Sequence, residues 1–173
     1  MAFQYPKCRE TTRQLCPIPN AVAKWSKWLE LMVPGKDLGE GFLNRNDNQE
    51  GSYKSENLPG DDICGIYEWK VWKSGKGIIV YLGSSCNEGP APLRNRILQY
   101  CRDGAHKHEL INDALRKGYE LRLRYRIFEG VGESKIAEDY LLKKYNYAWN
   151  EQNNALREPR IGKLHIQGRT RRR

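Results

Sequence analysis

Tyr67, Tyr81, Arg96, Tyr100 and Glu138 are the residues whose types and placement could do chemistry in this chain. Tyr67 and Tyr81 fall on two β-branched, aromatic runs separated by a turn signal, so their phenols can lie close together on neighbouring strands. Arg96 and Tyr100 are four apart in a helical stretch and share a face. Glu138 sits beside apolar positions of a later helical stretch, where a carboxylate needs a partner or a cation. Together these groups can serve phosphodiester chemistry, with a divalent cation on the carboxylate, the guanidinium on the phosphate and the phenols relaying a proton from water. Singly, each has a plainer role. A strand tyrosine packs a core or its rim, a helical arginine is solvated, and Glu138 pairs with Lys135 or Lys143. With three histidines in the chain, a Ser-His-Asp or multi-histidine metal site is hard to build. The G-x-x-x-x-G-K, G-x-S-x-G and H-E-x-x-H patterns are absent.

The elements that must position these residues become regular from residue 63. Cys64 to Trp72 and Gly77 to Ser84 read as hairpin strands separated by Ser74-Gly75-Lys76-Gly77. Asn87 to Pro92 is a loop whose last proline leads into a helix from Leu93 to about Arg102. Asp103-Gly104 breaks that helix, and a second covers roughly Lys107 to Lys117, ended by Gly118. Leu121, Leu123, Tyr125 and Ile127 then alternate with Arg122, Arg124, Arg126 and Phe128, the pattern of a strand with one buried face. Ser134 to Lys144 reads as a third helix with Ile136, Ala137, Tyr140 and Leu141 inward. The order ββααβα predicts an α+β fold, a small three-stranded antiparallel sheet flanked by helices. Upstream, Val22, Trp25, Trp28, Leu29 and Met32 predict an amphipathic helix over 20–33, its tryptophan face docked on the main domain. Gly39 to Gly60 reads as loop. The expected organisation is an extension over 1–60, a catalytic domain over 61–158 and a basic tail over 159–173.

Charge adds a partner class. The 173 residues carry a formal net charge of +9, and +8 of it falls after residue 60. Arg169, Arg171, Arg172 and Arg173 supply half of that, so the body from 61 to 168 is only +4. A basic balance favours a polyanion, because lysines and arginines that neutralise phosphates release condensed counterions. The Arg122, Arg124, Arg126 stripe is expected to contact phosphate if it faces solvent, and a solvated or helix-covered face is the alternative. The tail reads as a nucleic-acid contact, a nuclear address or a segment without a specific role. No apolar run approaches the roughly 20 residues of a membrane-spanning helix, and the start lacks a cationic stretch leading into an apolar run. An intracellular protein is expected. Its five scattered cysteines, none in C-x-x-C, read as lone thiols without a zinc site or disulfide framework.

Five landmarks now stand in order: Gly65-Ile66-Tyr67, Tyr81-Leu82-Gly83, Leu93-Arg94-Asn95-Arg96, Glu138 and Asn150. Over about Asp61 to Asn154 they resemble the GIY-YIG nuclease domain, whose fold matches the deduced ββααβα order. Leu82 replaces the middle isoleucine of the second motif, and Asn87 to Pro92 lengthens the path to Arg96. Arg94 competes for the arginine role, while the L-x-x-R-x-x-x-[H/Y] pattern selects Arg96 and Tyr100. The resemblance implies that Tyr67 is the general base, its pKa lowered from about 10, with Tyr81 and Tyr100 orienting water and phosphate. It further implies Arg96 on the phosphate, Glu138 holding a single Mg²⁺ (or Mn²⁺), Asn150 stabilising the site by hydrogen bonds, and His106 facing it. DNA is the implied substrate, with Arg94 joining Arg122, Arg124 and Arg126 as expected DNA contacts. No organic cofactor is implied. A second resemblance rests on Trp25, Trp28, Asn57-Leu58-Pro59, Tyr100 to His106 and Tyr147-Ala148-Trp149-Asn150. These are similar to the plant effector-of-transcription proteins, nuclear DNA-binding regulators built on a GIY-YIG domain and often followed by Cys-rich repeats that this chain lacks. Two readings follow, a metal-dependent DNA endonuclease and a DNA-binding transcriptional regulator with little or no cleavage, both placed in the nucleus.

Overall fold

Every residue from Cys64 to Val71 is buried in the computed structural model of the chain, which describes residues 24–35, 53–86, 92–102, 104–145 and 147–150. The expected basic tail, the start of the expected N-terminal helix, residues 87–91 and most of the Gly39 to Gly60 segment lie outside the described residues. Burial on both faces makes Cys64–Lys73 a central strand. With β1 at Leu29–Met32, β2 at Cys64–Lys73, β3 at Lys76–Ser85 and β4 at Glu120–Phe128, the sheet order is β1-β4-β2-β3. All its pairings are antiparallel. Helix α1 spans Leu93–Arg102, α2 spans His108–Arg116 after a 3-10 turn at Ala105–Lys107, and α3 spans Val131–Lys144.

Period-two alternation divides the sheet into two cores. Tyr67, Trp69, Val71, Leu121 and Leu123 face α1 and α2 through Leu93, Ile97, Tyr100, Ile111 and Leu115. On the other face, Ile66, Ile79, Leu82 and Phe128 meet Ala137, Leu141 and Leu142 of α3, with Tyr145 and Tyr147. Fully burying each large apolar side chain of this kind contributes about 1.5–3 kcal/mol.

The sheet has four strands where three were expected. The added strand comes from the segment read as a helix over 20–33. Leu29 pairs with Leu123, Glu30 with Arg122 and Met32 with Leu121, and the register shift between Glu30 and Met32 lets both Leu31 and Met32 bury. Before the strand, the Ser26 N–H donates to the Tyr125 carbonyl and Ser26 Oγ accepts the Tyr125 N–H. The exposed edge of β4 offers this segment a hydrogen-bond ladder that its local helical spacing does not reveal, and pairing overrides the local period. Trp25 and Trp28 do pack on the core, from a stretch that is neither helix nor strand.

Two further expectations are corrected. On α3, Ile136 and Tyr140 point outward, and the buried face is Ser134, Ala137, Leu141 and Leu142. The small Ser134 and Ala137 let the helix sit close to the sheet. Cys64 and Cys86 form a disulfide. Gly65 pairs with Ser85, so the next residues outward lie opposite each other, a register that cysteine spacing does not reveal. Cys101 is buried and takes no part in the disulfide.

β3 carries the irregularity that matters for the site. Tyr81 pairs with Trp69 while Ile79 pairs with Lys70, so Val80 is an extra residue without a β2 partner. This bulge turns Val80 and Tyr81 into the α1/α2 core although Ile79 and Leu82 lie in the other. The Val80 carbonyl accepts the Trp149 N–H.

Candidate active site

Four side chains from four elements meet beside the bulge. The Tyr67 and Tyr100 hydroxyls are 3.2 Å apart, Tyr100 donates to the Tyr81 hydroxyl over 3.2 Å, and that hydroxyl lies 3.2 Å from His106 Nε2. Each phenol has one proton to give. With the Tyr100 proton directed to Tyr81, Tyr67 donates to Tyr100 and Tyr81 donates to His106, and all three phenols are satisfied. The rings meet at tilted or edge-on angles with centroids 6.0–6.2 Å apart. Glycine is required at position 83, because a Cβ there would meet the Tyr67 hydroxyl at 2.5 Å. Gly104, at a φ of 78°, closes α1 by donating to the Gln99 and Tyr100 carbonyls, and the chain then turns to present His106.

Exposure grades along this chain of hydrogen bonds. Tyr100 and Tyr67 are 0% and 1% exposed, Tyr81 is 8% exposed, and His106 is open to solvent. Burial pushes the Tyr67 phenol well above its ordinary value, and the neighbouring Tyr100 and Tyr81 push it further. Tyr81 and Tyr100 are also raised, burial again being the main cause. The lowered pKa expected of Tyr67 as a general base is therefore reversed, since Arg96 opposes the rise without cancelling it.

Arg96 acts electrostatically on Tyr67 and Tyr100, and its Nη1 donates to Gln99 Oε1 over 3.0 Å. Arg94 turns elsewhere. Its Nη1 donates to the Pro59 carbonyl over 2.8 Å and its Nε lies 3.3 Å from Asp61, tying α1 to the chain entering β2. Glu138, on α3, reaches the strand end from the opposite face. Its Oε2 accepts from Ser84 Oγ over 2.7 Å and from Lys135 Nζ over 2.9 Å, and its charge helps raise Tyr81 and Tyr100. The Glu138 hydrogen bond in turn raises the Lys135 ammonium pKa. Asn150 holds β3 from outside: Oδ1 accepts the Leu82 N–H over 3.0 Å and Nδ2 donates to the Leu82 carbonyl over 2.9 Å.

Among the described residues no group of three His, Cys, Asp or Glu side chains gathers as a metal cage. Glu138 offers one carboxylate. Mg²⁺ takes one or two carboxylates and completes its shell with waters and substrate phosphates, so this donor set fits that ion.

The arginine stripe on β4 divides. Arg124 is 1% exposed and cannot serve as the expected DNA contact. Its Nε donates to Glu68 Oε2 over 2.8 Å, Nη2 makes an ionic contact with the same oxygen at 2.8 Å, and the Tyr147 hydroxyl donates to Oε1 over 2.7 Å. Trp25 and Trp28 lie over its guanidinium at 4.6 and 4.5 Å. Alternation places Arg124 on the polar face, but the N-terminal tryptophans cover that face. Arg122 pairs with Glu120 and lies over Trp72. Arg126 is half-buried, and burial lowers its pKa.

Sequence reasoning missed Ser84 and Lys107. Ser84 pairs with Ile66 on the α3 side of the sheet, which alternation from Leu82 could have indicated. Lys107 is 5% exposed, with its ammonium 5.3 Å from the Tyr81 ring centre.

Strand glycine, paired tyrosines, helical arginine and helical glutamate on this sheet define a class, and the chain belongs to it: the GIY-YIG domain-containing protein family matches residues 25–161. It is 27% identical to Protein EFFECTOR OF TRANSCRIPTION 2 of Arabidopsis thaliana over 163 aligned positions, covering 77% of this chain and 32% of that protein. It is 28% identical to Protein EFFECTOR OF TRANSCRIPTION 3 of the same plant over 145 positions, covering 77% of this chain and 52% of that one. The chain thus spans about a third and about half of those relatives. No solved structure matches it.

Proposed function

We propose that the chain is a DNA endonuclease that hydrolyses phosphodiester bonds with Mg²⁺ (or Mn²⁺) held by Glu138. The observation that carries this reading is the phenol chain ending at solvent-exposed His106, with Glu138 close enough to act on two of its members. The raised phenols remain protonated at neutral pH, so none serves as a standing phenolate base. Tyr81, the phenol next to the exposed end of the line, accepts a proton from the attacking water as it passes its own to His106 Nε2, and every phenol ends neutral. An imidazole nitrogen, a common side-chain proton acceptor in catalysis, suits that role. Tyr67 and Tyr100 hold the Tyr81 hydroxyl in line for this relay. The water oxygen bonds to phosphorus as the bond to the leaving oxygen breaks. Arg96, with guanidinium donors beyond the one used on Gln99, stabilises charge on the phosphate. When bound, the divalent ion supplies Lewis-acid stabilisation of the leaving oxygen. Arg94, Arg122 and Arg126 are backbone-contact candidates at the margins, and the nucleus is the setting that fits the relatives' names.

A second reading, a DNA-binding transcriptional regulator with little or no cleavage, is favoured by those same names. A nicking assay on supercoiled plasmid with Mg²⁺ separates the two. Native chain should nick, while Glu138→Ala and Arg96→Ala should not. DNA retardation without Mg²⁺-dependent nicking above both variants establishes the regulator reading instead.

A further inference from the structure

Both hydrogen bonds that reach the Glu138 carboxylate end on one oxygen. Ser84 Oγ and Lys135 Nζ donate to Oε2, and among the described residues Oε1 accepts none, although the side chain is only 12% exposed. The two donors differ in kind. Ser84 is neutral and stands on β3 immediately after Gly83, so it fixes one carboxylate oxygen without adding charge. Lys135 is one turn away on α3 with a side chain 53% exposed, and it brings a full positive charge on a flexible stem.

We infer that Ser84 is a positioning residue that holds Oε2 so that Oε1 takes the divalent cation, and that Lys135 is that cation's placeholder, neutralising Glu138 until the metal arrives. The inference rests on the reading of Glu138 as the metal ligand. It predicts opposite signs for the two donors. Losing the hydroxyl frees the carboxylate to turn and weakens metal binding. Losing the ammonium removes a competing charge and strengthens it.

The test is Mn²⁺ binding, read from the free-ion electron paramagnetic resonance signal with the full chain saturated by a phosphorothioate duplex. Ser84→Ala should weaken Mn²⁺ binding about tenfold, the scale of a hydrogen bond to a charged group. Ser84→Thr, which keeps the hydroxyl, should restore it to within about twofold of native. Lys135→Ala should tighten binding about threefold, as expected for an exposed ion pair. Glu138→Gln separates this inference from its premise. If Glu138→Gln binds Mn²⁺ as well as native, the metal assignment fails and the inference with it. If Glu138→Gln loses binding while Ser84→Ala and Lys135→Ala stay at native affinity or shift in the same direction, the positioning roles alone are overturned.

Discussion

The two faces of the sheet each bury a polar network containing tyrosine, and the networks differ in charge and in access to water. On the α3 face, Glu68, Arg124 and Tyr147 form a charged cluster closed over by Trp25 and Trp28. On the α1 face, Tyr67, Tyr100 and Tyr81 form an uncharged line that ends on exposed His106. A buried ion pair cannot exchange protons with a substrate it never meets, and breaking it leaves an uncompensated charge. A neutral line with one wet end costs little to bury and can pass a proton. The contrast teaches that access to solvent, more than residue type, separates a stabilising network from a chemical one.

The sharpest way to break the comparison is Arg124→Ala. It strands Glu68 in the core and should cost about 3–5 kcal/mol of stability by urea unfolding, and a loss below about 1 kcal/mol would place the network outside the structural class. Tyr81→Phe should do the converse. Nicking should fall about 100-fold, a typical proton-transfer contribution, while stability changes by about 1 kcal/mol, the value of a neutral hydrogen bond. Equal damage to stability and rate would erase the distinction between the faces. Gly83→Ala pushes a methyl group into the Tyr67 hydroxyl and should cost about 1–3 kcal/mol, with nicking lost alongside. The smallest effect is the dependence on pH. Because burial raises the pKa of the three phenols, the folded chain holds those protons more tightly than the unfolded one. That stability is complete below the unfolded value of about 10 and declines as pH climbs beyond it. Thermal melts across that range should show the decline in native chain and a shallower one in Tyr67→Phe, and parallel curves would contradict the assignment.

How much of this was legible in the sequence depended on the range of the interaction. β2, β3, β4 and the three helices follow from hydrophobic period and from Gly104 and Gly118, all local signals. The pairing of the strands that carry Tyr67 and Tyr81 follows from a hairpin, and the shared face of Arg96 and Tyr100 from one helical turn. β1 was illegible because its partner lies some 90 residues downstream, and helical spacing over five residues mimicked a different element. Arg124 showed the same limit. Period two put it on a face with Arg122 and Arg126, but what covers that face is decided by Trp25 and Trp28 from a distant segment. The Cys64–Cys86 disulfide needed cross-strand register, and the fall of Tyr81 on the tyrosine face needed the bulge, neither of which residue types announce.

The unpaired Val80 makes the length of β3 a more sensitive variable than its composition. Its side chain is apolar filling, so Val80→Ile or Val80→Leu leaves the frame intact. Removing the residue would leave Ile79, Tyr81 and Leu82 alternating on the faces they now hold, and would take away the added twist of the bulge and the carbonyl that accepts the Trp149 N–H. Relatives that keep the tyrosine line should therefore vary in which apolar residue stands here, and those one residue shorter at this point should keep the line on an unbulged strand without the Trp149 anchor.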